Sequence, residues 1–174
     1  MQRGIFAETT LRAWPSCKKY ILVDIWRSQD NYKDVANVAD DEQEKIYQEA
    51  MKRLEPFKHV IDVKRMTTVE AGKTVPDNSL DYIYVDARHD YCGAFEDMLA
   101  WWPKLKPGGI LAGHDYHYAK EVNDQDWSVC SNGSTHPGAV RGAVEDFSKQ
   151  HGLALSVTFR EDMWNSWMAV KPSC

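Results

Sequence analysis

The feature that most constrains this chain is an alternation: short apolar runs rich in β-branched residues separated by longer amphipathic stretches. Tyr20-Ile-Leu-Val-Asp24, His59-Val-Ile-Asp-Val63, Leu80-Asp-Tyr-Ile-Tyr-Val-Asp86 and Gly109-Ile-Leu-Ala-Gly113 are the runs. Their length and composition predict buried parallel strands over 20–24, 59–64, 81–86 and 109–114. Helices are predicted over Ile5–Trp14, Asp40–Leu54, Thr67–Thr74, Ala94–Leu105 and Val140–His151. Asp40 and Asp41 suit the positive end of a helix dipole. Lys106-Pro-Gly-Gly109 reads as a sharp turn, and residues 117–137 as a long functional or mobile loop. Leu153–Arg160 and Trp167–Lys171 read as a closing antiparallel pair. Alternating strands and helices imply an α/β sheet covered on both faces.

Composition narrows the function classes. At 174 residues the chain is expected to be one domain, residues 1–174, with no internal repeat or linker. Twenty-one Lys plus Arg against 26 Asp plus Glu leave a net charge of −5, which argues against nucleic acid or anionic membrane as the main partner. No apolar run approaches the ~20 residues of a membrane span, and the first residues do not read as a signal peptide. Cys17, Cys92, Cys130 and Cys174 lie far apart without a C-x-x-C. Neither a zinc knuckle nor a disulfide scaffold is therefore expected, and a cytoplasmic or other reducing compartment is.

Three of the runs lead to an aspartate: Asp24, Asp86 and, two residues beyond Gly113, Asp115. In open α/β sheets ligands bind beyond the carboxyl ends of the strands, so these positions mark the candidate site.

The residues around them resemble the class I S-adenosylmethionine-dependent methyltransferases, in particular the small members akin to cephalosporin hydroxylases and catechol-type O-methyltransferases. The resemblance runs over almost the whole chain. It rests on Val23-Asp24-Ile-Trp26, on Tyr84-Val-Asp86-Ala-Arg-His89-Asp-Tyr91, on Leu105-Lys-Pro-Gly-Gly109-Ile-Leu-Ala-Gly-His114-Asp115-Tyr116 and on the final strand pair. It implies a Rossmann-like three-layer sandwich, mostly parallel, with a C-terminal antiparallel pair. One departure matters. Met1-Gln2-Arg3-Gly4 looks like the tail of the family's Gly-rich turn, and the family's first strand is missing before it. The expectation is an N-terminally truncated domain whose sheet a homo-oligomer or partner chain could complete.

The resemblance also implies roles. Asp24 would accept hydrogen bonds from the cofactor ribose, a carboxylate offering two acceptor oxygens to a vicinal diol. Trp26 would flank the adenine, and Gly4 and Asp86 would complete the cofactor contacts. Asp86 and Asp115 would converge, and two carboxylates repel unless a cation or shared proton lies between them. A hard divalent ion such as Mg²⁺ would suit the pair and would favour deprotonation of an acceptor hydroxyl. His89 is either the general base or a residue that holds its loop. Tyr116, Tyr118, Trp127, Trp164 and Trp167 are candidates for an aromatic acceptor pocket. The expected activity is methyl transfer from S-adenosylmethionine to an oxygen, less readily a nitrogen, of a small molecule. Two alternatives stand beside it: a degenerate member acting as a binding or assembly subunit, and a hydroxylase or hydrolase with zinc or iron on His114 and His117.

Overall fold

A computed structural model describes residues 3–159 and 164–173. Met1 and Gln2 of the expected turn, Arg160 of the expected strand and Cys174 lie outside the described residues. The chain divides into two compact units: Met1–Gln29 with Val35–Ala71, and Asp30–Asp34 with Gly72–Cys174.

The first unit holds α1 (Ile5–Ala13), β1 (Tyr20–Val23), α2 (Asp40–Leu54) and β2 (Ile61–Lys64). β1 and β2 run parallel, with Tyr20 opposite Ile61 and Val23 opposite Lys64. Ile46, Ala50 and Leu54 recur every fourth residue of α2 and so share the face that packs on Ala7, Leu22 and Trp26. Burying a side chain such as Leu22 stabilises by roughly 1.5–3 kcal/mol. Gly4 precedes α1 at φ 72°, a left-handed backbone that suits glycine. A Cβ there would also sit 3.2 Å from Leu54 Cδ1.

After α3 (Thr68–Lys73), the second unit holds β3 (Leu80–Val85), α4 (Tyr91–Trp101), β4 (Leu105–Gly113), α5 (Ala139–His151), β5 (Leu155–Val157) and β6 (Trp167–Val170). Its sheet has the order β3-β4-β6-β5, with β3–β4 parallel and the other two pairings antiparallel. The α/β class stands. The sheet is mixed rather than wholly parallel: the expected C-terminal antiparallel pair forms as β5 and β6, with β6 seated between β4 and β5. Apolar runs identify strands, but their order is set by which edge a returning strand can reach.

Several local expectations need correction. Helix α4 starts three residues before Ala94, because the Asp90 carboxylate caps it by accepting from Gly93 N at 3.0 Å. Lys106-Pro-Gly-Gly109 is not a turn between elements. It lies inside β4, where the register jumps from Leu80 opposite Leu105 to Tyr82 opposite Ile110. The segment 117–137 is irregular but packed: Val122, Trp127 and Cys130 are all buried. Cys92 and Cys130 form a disulfide with their Cα atoms 5.6 Å apart. Their 38-residue separation hid it. The first turn of α4 and the irregular segment meet in space, and sequence spacing carries no information about that distance. The cysteine argument for a reducing compartment falls with it. Among the described residues no helix is long and apolar enough to cross a membrane.

Candidate active site

In the second unit, β3 and β4 are parallel neighbours, so their carboxyl ends lie side by side. His114 N donates to Val85 O at 3.2 Å, which carries the pairing to the last residues of both strands. Asp115 then adopts φ 57°. A left-handed backbone is unusual for a residue with a Cβ, and such outliers cluster at functional sites. The turn leaves the Asp115 side chain buried beside the β3 end.

His89 stands between the two carboxylates. Its Nε2 lies 3.1 Å from Asp115 Oδ2 and 3.4 Å from Asp86 Oδ1, and its Nδ1 lies 2.8 Å from Asp34 Oδ2. His114 Nδ1 approaches the same Asp115 oxygen at 3.2 Å. Burial alone would lower the His89 pKa, but hydrogen bonds to Asp115, Asp34 and Asp86 hold it well above the ordinary imidazole value. Burial would likewise raise Asp115, and the hydrogen bonds of His114 and His89 hold it below the carboxylate range instead. The carboxylates around His89 thus favour its protonated form, which would stand as a cation between Asp86 and Asp115. In this conformation both of its nitrogens are engaged.

The structure brings Asp86, His89 and Asp115 together, as expected, and adds Asp34, which the sequence reading missed. Asp34 lies in a polar, aperiodic stretch, 55 residues from His89. No pattern marked it. Arg88 donates to the backbone carbonyls of Asp30 and Asn31 at 3.4 and 3.1 Å, which ties that stretch to the loop after β3. Trp127 Nε1 donates to Asp34 Oδ2 at 2.8 Å, and its ring lies 4.6 Å from that of His89.

The other aromatic candidates separate. Trp164 packs 5.4 Å from Trp127, whereas the Tyr116 and Tyr118 hydroxyls donate to Glu145 at 3.1 and 2.6 Å. Trp167 is buried and donates to His114 O at 3.2 Å. His117 turns to Glu121 at 3.7 Å rather than joining His114 on a metal. The ligand atoms of Asp86, His114 and Asp115 all lie within 4.8 Å of one another. Two carboxylates and an imidazole are a donor set that suits a divalent cation.

The first unit carries the remaining candidates. Asp24 follows β1, and its Oδ1 accepts from Trp26 N at 2.8 Å. Trp26 is 1% exposed and meets Tyr47 edge-on at 4.9 Å, so its ring is principally core. A cavity of about 650 Å³ opens beyond the carboxyl ends of β1 and β2, walled by Ile25, Arg27, Glu44, Met66 and Thr67 together with Trp26. That volume lies within the range of small-molecule and cofactor sites. Arg65 Nη2 pairs with Glu44 at 2.7 Å and donates to Trp26 O at 3.3 Å, bracing the wall.

The family model of a methyltransferase domain matches residues 2–116, which take in Asp24, Asp86, His89 and Asp115. The chain belongs to the methyltransferase domain family. An uncharacterized protein of Sinorhizobium fredii is 30% identical to this methyltransferase-family chain over 112 residues, covering 64% of it but only 12% of that relative. In three dimensions the methyltransferase fold is shared with an O-methyltransferase family protein from Burkholderia thailandensis. There the TM-score is 0.63 at 15% identity, over 99% of this chain and 49% of that one. An O-methyltransferase from Bacillus cereus, solved in complex with SAH, matches with a TM-score of 0.54 at 11% identity, over 97% and 80% of the two chains. The methyltransferase-family chain therefore spans about half of the first of these structures and about an eighth of the curated relative.

Proposed function

We propose that this methyltransferase-family chain transfers a methyl group from S-adenosylmethionine to an oxygen, less readily a nitrogen, of a small molecule. The observation that carries the proposal is the convergence of Asp86, His89 and Asp115 at the ends of two neighbouring parallel strands. The methyltransferase-domain match over residues 2–116 takes in candidate residues of both units and supports the reading.

The donor's place rests on the first unit. Asp24, which follows β1, would take the ribose hydroxyls, a carboxylate offering acceptor oxygens to a vicinal diol. Gly4 would admit the donor's close approach. Residue 26 would contribute through the cavity wall it shares with Ile25 rather than as a free stacking plate.

The acceptor is placed by charge. Asp86 and Asp115 would offer anionic oxygens to an acceptor hydroxyl: its oxygen attacks the sulfonium methyl in line, the S–CH3 bond breaks to release S-adenosylhomocysteine, and one of the two carboxylates takes the hydroxyl proton. His89 keeps those carboxylates ionised and therefore able to accept hydrogen bonds. A Mg²⁺ ion held by Asp86 and Asp115 would act as a Lewis acid that lowers the acceptor's pKa. The buried Trp127 ring packs 4.6 Å from that of His89.

Calorimetric titration with S-adenosylhomocysteine tests the donor. Binding is expected, and Asp24→Ala should weaken it by about 1.5–3 kcal/mol, the worth of a hydrogen bond to a charged group. Methylation of 3,4-dihydroxybenzoate as a probe acceptor, with and without chelator, tests the metal. Loss of turnover on chelation that added Mg²⁺ restores supports it; turnover insensitive to chelation assigns the acceptor chemistry to the protein's own groups. Absence of S-adenosylhomocysteine binding overturns the reading. It would favour the non-catalytic binding subunit, to which β1 and β3 lend support, each having a single strand neighbour among the described residues.

A further inference from the structure

His89 lies on an irregular loop, where no repeating backbone hydrogen bond fixes its side chain. Something else must aim the ring. Its Nδ1 faces Asp34 Oδ2 at 2.8 Å and the Tyr32 hydroxyl at 3.2 Å. The Asp34 side chain is 2% exposed, and the same oxygen accepts the Trp127 indole N–H at 2.8 Å. The Tyr32 hydroxyl gives its own proton to Ala87 O at 3.1 Å and can only accept from Nδ1; the Asp34 carboxylate is nearer and anionic, hence the stronger acceptor of the Nδ1 proton. On the far side of the ring, Nε2 points at Asp115 and Asp86.

We propose that Asp34 is a positioning residue of the candidate active site: it grips the Nδ1 edge of His89, is itself clamped by Trp127, and so aims Nε2 between Asp86 and Asp115. The inference rests on the methyltransferase reading for its functional meaning but not for its geometry. Asp34 acts through the imidazole. Removing Asp34 leaves Nδ1 the longer contact to the neutral Tyr32 hydroxyl in place of a carboxylate, and the hold on that edge of the ring is weakened. A carboxylate is not essential to the grip. One carbonyl oxygen in the same place accepts both the Nδ1 proton and the indole proton, so an asparagine should hold the ring nearly as well.

The test compares the full chain with Asp34→Ala and Asp34→Asn. Nuclear Overhauser contacts between the His89 ring protons and the Trp127 indole report the ring's placement, the two rings being 4.6 Å apart in the wild type. Asp34→Ala should lose those contacts, with turnover of 3,4-dihydroxybenzoate falling at least tenfold. The KM for S-adenosylmethionine and the Kd for S-adenosylhomocysteine should stay within twofold. Asp34→Asn should keep the contacts and recover most of the turnover. If circular dichroism shows that the alanine variant does not fold, Asp34→Ser, too short to reach Nδ1, takes its place with the same expected losses. Intact ring contacts in the alanine or serine variant overturn the proposal, as does an asparagine variant no better than either. Failure of the wild type to bind S-adenosylhomocysteine would instead overturn the methyltransferase reading, while the ring contacts would still decide the role of Asp34.

Discussion

His89 concentrates the electrostatics of the second unit in one side chain. Three carboxylates face its two nitrogens, and each of those side chains is mostly or fully buried. Replacing the ring by alanine strands those charges, and removing one partner of a buried ionic cluster costs about 3–5 kcal/mol. Urea unfolding of His89→Ala at pH 7 should show a loss of that size, with an unchanged m-value. The pH dependence has a definite sign on each side. The folded pKa of His89 is raised, so its contribution is complete below its unfolded value near 6.5 and is lost as pH rises through the folded value. The folded pKa of Asp115 is lowered, so its contribution is complete above about 3.9 and is lost as pH falls through the folded value. Unfolding free energies measured from pH 2.5 to 9 should therefore show the cluster at full strength between about pH 4 and 6.5. His89→Gln should remove the decline on the alkaline side.

At the scale of elements, the site depends on how closely β3, β4 and β6 approach at their ends. Gly113 is the last residue of β4, and a Cβ there would meet Val85 O at 2.5 Å and Trp167 Cζ2 at 2.6 Å. Neither neighbour can retreat, one being strand backbone and the other a buried indole. Gly113→Ala should destabilise by about 1–3 kcal/mol and displace the turn that carries Asp115, measurable as a lower Tm. The irregular segment that bears Trp127 is held by different means. The Cys92–Cys130 bridge ties it to the first turn of α4, and Tyr91 stacks on His136 with ring centroids 3.6 Å apart. Closing a loop of that length by a disulfide contributes about 2–4 kcal/mol through the unfolded chain. Cys130→Ser should lose that amount in denaturant. It should also increase hydrogen exchange over residues 126–136, while the α4 and α5 amides remain protected.

For the molecule as a whole, the methyltransferase reading makes a thermodynamic claim: a donor analogue that binds only the folded chain must stabilise it. At a hundredfold excess over its Kd, S-adenosylhomocysteine should add about 2.7 kcal/mol, raising Tm in proportion to the logarithm of its concentration. An unchanged Tm at millimolar analogue would contradict that claim. Much of this was legible in the linear chain. The apolar runs leading to Asp24, Asp86 and Asp115 follow from the sequence pattern, because a strand buried on both faces disfavours polar residues until it leaves the sheet. Helix α2 was equally plain, its buried face recurring at every fourth position. Tertiary structure decided the rest, and in each case the cause is a contact between residues distant in sequence. β6 lies beside β4 because a returning strand found that edge. Cys92 met Cys130 because a helix start packs on an irregular segment. Asp34 joined His89 because Arg88 draws an aperiodic stretch onto the loop after β3. Periodicity reports which face of an element is buried, since that depends on neighbours three or four residues away. Which side chain stands on the other side of an imidazole depends on how the whole chain closes.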